Sequence, residues 1–156
     1  MKARFENRNA AGRLLAQSLG AYAGIKDGLV LALPRGGVPV ACEIANTLAL
    51  PLDLMLVRKL GAPGQQELAI GAIASGGHTV LNEAIVDALS LSDAYISRVK
   101  KREQQELERR LQRYRGPRAR ADLGAKTVIL VDDGLATGAT MLAAARAVNA
   151  QSPAKN

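Results

Sequence analysis

Apolar positions along the chain alternate between helical spacing and short unbroken runs. From about Asn9 to Tyr22, Ala11, Leu14, Leu15, Leu19 and Tyr22 recur at helical spacing with Arg13 and Gln17 opposite, which predicts an amphipathic helix. Leu29-Val-Leu-Ala-Leu33 is a continuous apolar run ending in Pro34-Arg-Gly-Gly37, the pattern of a parallel strand buried on both faces. Val38 to Leu48 returns to helical spacing; Pro39 is tolerated there because an N–H in the first turn would have no helical partner. Pro51 to Val57 predicts a second strand that ends on the basic pair Arg58-Lys59.

Residues 60–77, beginning with the Gly- and Pro-rich stretch Gly61-Ala-Pro-Gly64, form the least helical region and predict a flexible loop with a small strand. Asn82 and Ser90 or Ser92 are candidate N-caps for a short helix and a long one. The long helix reaches about Tyr114 on a stripe of Ile96, Val99, Leu107, Leu111 and Tyr114. Lys126 to Val131 is a third buried-type strand, and Ala139 to Asn149 an alanine-rich helix. Strands alternating with helices predict an α/β fold, a doubly wound parallel sheet with right-handed crossovers.

Length and composition narrow the setting. A chain of 156 residues, 48% hydrophobic, suits one core, so a single domain over residues 1–156 is expected. Cys42 is the only cysteine, which excludes an intramolecular disulfide and suits a reducing cytoplasm. No apolar run approaches the roughly 18 to 20 residues of a membrane span, and Met1 to Arg8 leads into amphipathic sequence, so a soluble, unsecreted protein is expected. The formal net charge of +7 favours anionic partners. With 3% aromatic residues, stacking platforms for single-stranded nucleic acid are scarce. The basic cluster from Arg98 to Arg120 is interleaved with Glu103, Glu106 and Glu108, giving pairs such as Glu106 with Arg110, and reads as a solvated helix face.

The densest chemistry lies where the strand Val128 to Val131 runs into Asp132-Asp133 and then Thr137-Gly-Ala-Thr140 at a helix start. Two carboxylates at the carboxyl end of a strand can accept hydrogen bonds from vicinal ribose hydroxyls. Farther on, Gly138 lets the backbone approach a phosphate, Thr137 and Thr140 offer hydroxyls, and Ala136 to Thr140 bring the N–H groups of a helix N-terminus. After the first strand, Gly36 and Gly37 could expose N–H groups to a pyrophosphate, and Arg35 could add charge. In a sheet ordered 2-1-3, the first and third strands flank the switch point, so both loops would face one crevice.

The stretch from Val128 to Thr140 resembles the signature of type I phosphoribosyltransferases: four apolar residues, two acidic ones, three mostly apolar ones, then Thr-Gly-x-Thr. A P-loop would need the Gly-Lys-Ser/Thr that is missing here. The resemblance runs from Phe5-Glu-Asn-Arg8 through the Thr-Gly-Ala-Thr helix and is nearest to bacterial members without an assigned substrate. It implies a transferase of nucleotide metabolism that binds 5-phosphoribosyl-1-pyrophosphate, with Mg²⁺ held mainly through the pyrophosphate. A nitrogenous small-molecule acceptor would displace that pyrophosphate. In this picture Asp132 and Asp133 hold the ribose, and Ala136, Thr137, Gly138, Ala139 and Thr140 hold the 5′-phosphate. Arg35, Gly36, Gly37, Arg58 and Lys59 serve the pyrophosphate, and Glu67, in a mobile catalytic loop over residues 60–77, is a candidate proton acceptor.

Hypoxanthine-guanine members carry an Asp where this chain has Ala136, which argues against a 6-oxopurine acceptor. The lone His78 has no Cys or His partner, and no residue is assigned as a metal ligand. A second reading is a non-catalytic sensor of the same ligand that binds nucleic acid through its basic surface. Family members continue past the last helix into another parallel strand, so the expectation is a C-terminally truncated domain whose third strand forms a sheet edge. A homodimer is the expected assembly.

Overall fold

The computed structural model describes residues 5–136 and 138–151. In chain order the elements are α1 (Arg8–Ser18), a 3₁₀ turn (Gly20–Tyr22), β1 (Gly28–Ala32), α2 (Gly37–Leu48), β2 (Leu52–Leu54), β3 (Val57–Ala62), β4 (Gln65–Ala74), β5 (His78–Leu81), α3 (Glu83–Ala88), α4 (Asp93–Arg115), β6 (Thr127–Val131) and α5 (Ala139–Gln151). Two compact units result. The first comprises Met1–Met55, Arg120–Ala136 and Gln151–Asn156; the second comprises Leu56–Ala119 and Thr137–Ala150.

The first unit is the parallel sheet anticipated from the three apolar runs. Its order is β2-β1-β6, with Val30 opposite Leu52 on one side and Ile129 on the other. All five residues of β1 are buried, as a central strand covered on both faces requires. Val30, Ala32 and Val131 meet Val40, Ala41, Ile44 and Leu48 of α2 in one core.

Helix α1 begins behind Asn7, whose side chain accepts a hydrogen bond from the Ala10 N–H at 2.8 Å. Its inner face is not the leucine stripe. Gly12 and Ala16 are buried, while Leu14 and Leu15 are 50% and 43% exposed. Small residues win because α1 lies almost against the α2 backbone: a Cβ on Gly12 would sit 2.7 Å from the Val40 carbonyl oxygen and 2.8 Å from the Glu43 Cβ. Arg13, expected on the outer face, is drawn to the same seam, where it and Asn9 reach Glu43 Oε1 at 3.2 and 3.0 Å.

The run Pro51 to Val57 is not one strand. The Met55 N–H donates to the Ala32 carbonyl at 3.0 Å in the first unit. One residue later, the Leu56 N–H donates to Ser75 Oγ at 2.8 Å and the Leu56 carbonyl accepts from the Ser75 N–H at 2.9 Å in the second unit. From Val57 the chain runs in an antiparallel sheet, β3-β4-β5.

Residues 60–77, expected as a loop with a small strand, lie mostly in this sheet. Ala62 pairs with Gln65 across the Pro63-Gly64 turn, and Gly64 has φ +70. The periodicity hid the hairpin because Gln65, Gln66 and Glu67 are all exposed and the ladder shifts register around Gly61. Leu60, Ile70 and Ile73 pack with Ile96, Val99 and Leu107 of α4, which the Ser92 side chain caps, while Asn82 caps α3. Among the described residues, no helix is long and apolar enough to cross a membrane.

The packing of α1 sets a test. In an open helix Gly→Ala is stabilising, by up to about 1 kcal/mol, but at position 12 the new methyl meets backbone. Gly12→Ala is expected to destabilise the protein by about 1 to 3 kcal/mol in urea melts. Gly20→Ala, with nothing within 4 Å of its Cβ, should stay within about 0.5 kcal/mol of the parent. Equal midpoints for the two variants would show that α1 does not dock through Gly12.

Candidate functional site

In the first unit, the parallel register of β1 and β6 carries two chain segments to the same end of the sheet. One is the turn Pro34 to Gly36, which leads into α2; the other is Asp132-Asp133, directly after β6. The Leu33 N–H donates to the Val131 carbonyl at 2.9 Å, so the segments are still tied where the strands stop.

The glycines make the next step possible. A Cβ on Gly37 would lie 2.6 Å from the Val131 oxygen and 3.0 Å from the Asp132 Cα, and one on Gly36 would overlap the Asp133 carboxylate. The turn therefore lies across the acidic pair, with Arg35 exposed at its crest. Space for the β6 terminus already accounts for Gly36 and Gly37.

The two carboxylates differ electrostatically. Burial pushes Asp132 above the usual carboxylate range, a tendency that the Asp133 N–H opposes by donating to Asp132 Oδ1 at 2.8 Å. The Arg8 guanidinium holds Asp133 below that range, its Nε and Nη2 donating to Oδ2 at 2.9 and 2.7 Å. One acid is thus disposed toward the neutral form and its neighbour toward the charged one. Such a pair can offer a hydroxyl-rich ligand both hydrogen-bond acceptors and negative charge.

Arg8 is the residue that sequence reasoning missed. It lies 125 positions from its partner, and at the first turn of an amphipathic helix it reads as one more solvated cation.

The rest of the signature enters the second unit. Ala136 is the last residue of its segment in the first unit, Thr137 lies outside the described residues, and Gly138 precedes the first turn of α5 and accepts a hydrogen bond from the Leu142 N–H at 2.9 Å. Ala139 and Thr140 line a half-open cleft of about 520 Å³ shared with Val57, Lys59, Leu81 and Arg146. Lys59 and Thr140, 81 positions apart in sequence, thus face one space, with Asn82 and Glu83 also on its wall. Glu83 and Arg146 were not singled out in the sequence, because each reads as ordinary helix surface.

Two other candidates are engaged elsewhere. Arg58 turns to α4, where its Nε lies 2.5 Å from Glu103 Oε2. Glu67 is fully exposed on β4, its carboxylate 3.3 Å from Lys59 Nζ across the hairpin. His78 opens β5, and among the described residues no group of three or more His, Cys, Asp or Glu could hold a metal ion.

Comparison with known proteins agrees with this architecture. Two Mycobacterium tuberculosis proteins, from strains CDC 1551 / Oshkosh and ATCC 25618 / H37Rv, both named "Putative phosphoribosyl transferase", are 48% identical over 146 residues, 94% of this chain. The chain spans 33% of the length of these relatives. The crystal structure of TT1426 from Thermus thermophilus matches with a TM-score of 0.82 and 44% identity, covering 97% of this chain and 71% of that one. The model of the phosphoribosyl transferase domain matches residues 5–155, and the chain belongs to that family.

Proposed function

We propose that this chain binds 5-phosphoribosyl-1-pyrophosphate and transfers the phosphoribosyl group to a nitrogenous small-molecule acceptor, releasing pyrophosphate. The observation that carries the reading is the carboxylate pair Asp132 and Asp133 at the end of a parallel strand, beneath the Arg35-Gly36-Gly37 turn. An acidic pair suits vicinal hydroxyls, each of which donates one hydrogen bond. The backbone of the turn and Arg35 supply the donors and charge that a pyrophosphate needs. The motif assigns the 5′-phosphate to Thr137 through Thr140.

In the reaction, a lone pair on the acceptor nitrogen forms a bond to the anomeric carbon as the bond from that carbon to the pyrophosphate oxygen breaks. Any proton on the acceptor nitrogen is then given up. The chain's contribution is to orient the ribose through Asp132 and Asp133 and to steady the departing anion through Arg35. The resemblance also assigns Lys59 to the pyrophosphate and Glu67 to proton acceptance; within the second unit these two side chains pair with each other at 3.3 Å. Arg58 would have to leave Glu103, a partly buried pair, so it is the weaker candidate for the anion.

Mg²⁺ takes oxygen ligands and commonly binds substrate phosphates while keeping several waters, which fits a site where the ligand itself brings most of the donors. When bound, the ion neutralises the leaving group. The resemblance gives residues 60–77, here mostly the β3-β4 hairpin, the task of a lid limiting hydrolysis of the activated sugar.

Three measurements bear on this reading. Burial raises the Asp132 pKa in the folded chain, so its contribution to stability is present below the unfolded value and is lost as pH rises through the folded one. Asp132→Asn should therefore raise the thermal midpoint at pH 7 while weakening phosphoribosyl pyrophosphate binding in calorimetry by roughly tenfold or more, the trade expected of a functional residue. Unchanged affinity would sink the ribose assignment.

Saturating ligand with Mg²⁺ should protect residues 60–77 from protease, and cleavage that proceeds unaltered beside demonstrated binding would argue against the lid. A panel of nitrogenous acceptors should release pyrophosphate with at least one member. Binding with no release, together with salt-sensitive nucleic-acid binding, would favour a sensor instead.

A further inference from the structure

Arg8 ties the first turn of α1 to the acidic pair within the first unit. Its guanidinium donates twice to a single oxygen, Asp133 Oδ2, and the same carboxylate rests on the backbone of Gly36, where a side chain would overlap it. Asp133 is thus held between a cation and the turn that leads into α2. The position of Arg8 is itself fixed. It is the first residue of α1, the helix is capped by Asn7, and the Gly12 contact and the Glu43 hydrogen bonds lock α1 onto α2, which starts at Gly37.

The pair is not needed for the fold on energetic grounds. The Arg8 side chain is 59% exposed, and exposed ion pairs contribute little to stability. The seam between α1 and α2 already has its own pair, Arg13 with Glu43. What Arg8 changes is the charge beside the two adjacent carboxylates. Without it, a ligand bearing phosphates would approach two acids with one cation fewer to offset them, and like charges repel.

We propose that Arg8 is a positioning residue of the ligand site, which fixes the Asp133 carboxylate over Gly36 for the ribose hydroxyls and offsets one of the two acidic charges facing an anionic sugar phosphate. The inference rests on the ligand assigned under the proposed function. Arg8 lowers the Asp133 pKa, so the carboxylate stays ionised, and ligand binding persists, to lower pH than beside an ordinary aspartate. The sign follows from the lowered pKa: the ionised carboxylate is present above the folded value and is lost only as pH falls through it. Asn9 and Arg13 both pair with Glu43 at the α1 and α2 seam, and Asp132 is the acid adjacent to Asp133.

Calorimetric titration with phosphoribosyl pyrophosphate and Mg²⁺, between pH 4 and pH 8, tests this on Arg8→Gln, Arg8→Lys and Arg13→Gln. Arg8→Gln is expected to bind roughly tenfold more weakly at pH 7, the size of one lost charge-assisted contact. Its loss of binding in acid should begin at higher pH than in the parent, and Arg8→Lys should recover part of both changes. Arg13→Gln, which removes the structural pair of the same helix, should keep the parent affinity and acid limb whatever it does to the melting temperature. The proposal fails if Arg8→Gln matches the parent in affinity and pH profile, or if Arg13→Gln loses as much as Arg8→Gln. A parent chain that does not bind the ligand overturns the functional reading itself, a result distinct from either.

Discussion

The candidate site depends on one close approach: the backbone of Gly36 and Gly37 against the end of β6. Parallel pairing of β1 with β6 brings the two strand ends level, and the next residue of each segment must then share a space that has no room for a Cβ. Because the turn can settle there, α2 starts immediately over the sheet and its apolar face reaches Val30, Ala32 and Val131. Because α2 is fixed, α1 can dock on it through Gly12 and deliver Arg8 to Asp133. Fold and site meet in two residues without side chains.

Charge is arranged very differently in the two units. Ten of the 21 lysines and arginines lie between Arg98 and Arg120. Along α4 much of this charge is answered locally. Glu106 accepts from both Arg109 and Arg110, which pull its pKa down to about 2, and Glu103 lies beside Arg58 and Arg102. These contacts are mostly exposed and span one turn of helix or a neighbouring strand, so they solvate a face more than they stabilise a fold. The pairing of Arg8 with Asp133 is the opposite case, a single cation brought over 125 positions to a carboxylate whose neighbour is half-buried.

Much of the parallel unit was legible because its signals are local. Three apolar runs became β1, β2 and β6, and Asn82 and Ser92 capped the helices they were expected to cap. The signature after Val131 marked the acidic pair before any fold was known. Three features stayed hidden because each depends on a partner distant in sequence. Leu14 and Leu15 imitate a buried stripe, but close helix contact selects Gly12 and Ala16 instead. The run Pro51 to Val57 reads as one strand because apolarity cannot show a change of hydrogen-bonding partner at Met55 and Leu56. The β3-β4 hairpin shows only its turn residues, since its tip is polar on both faces. For the same reason Arg8 reads as surface in the sequence, and Arg146 gives no hint that it shares a cleft with Thr140.

The change of partner at Leu56 leaves a particular mark on the chain. Leu56 lies outside any strand, yet both its backbone polar groups are satisfied by one buried residue, the hydroxyl of Ser75 accepting from its N–H and the Ser75 N–H donating to its carbonyl. A side chain here performs the work of a ladder rung. The Leu56 amide should consequently be shielded from solvent deuterium like that of a central strand, although a buried hydroxyl and not a strand carbonyl accepts its hydrogen bond.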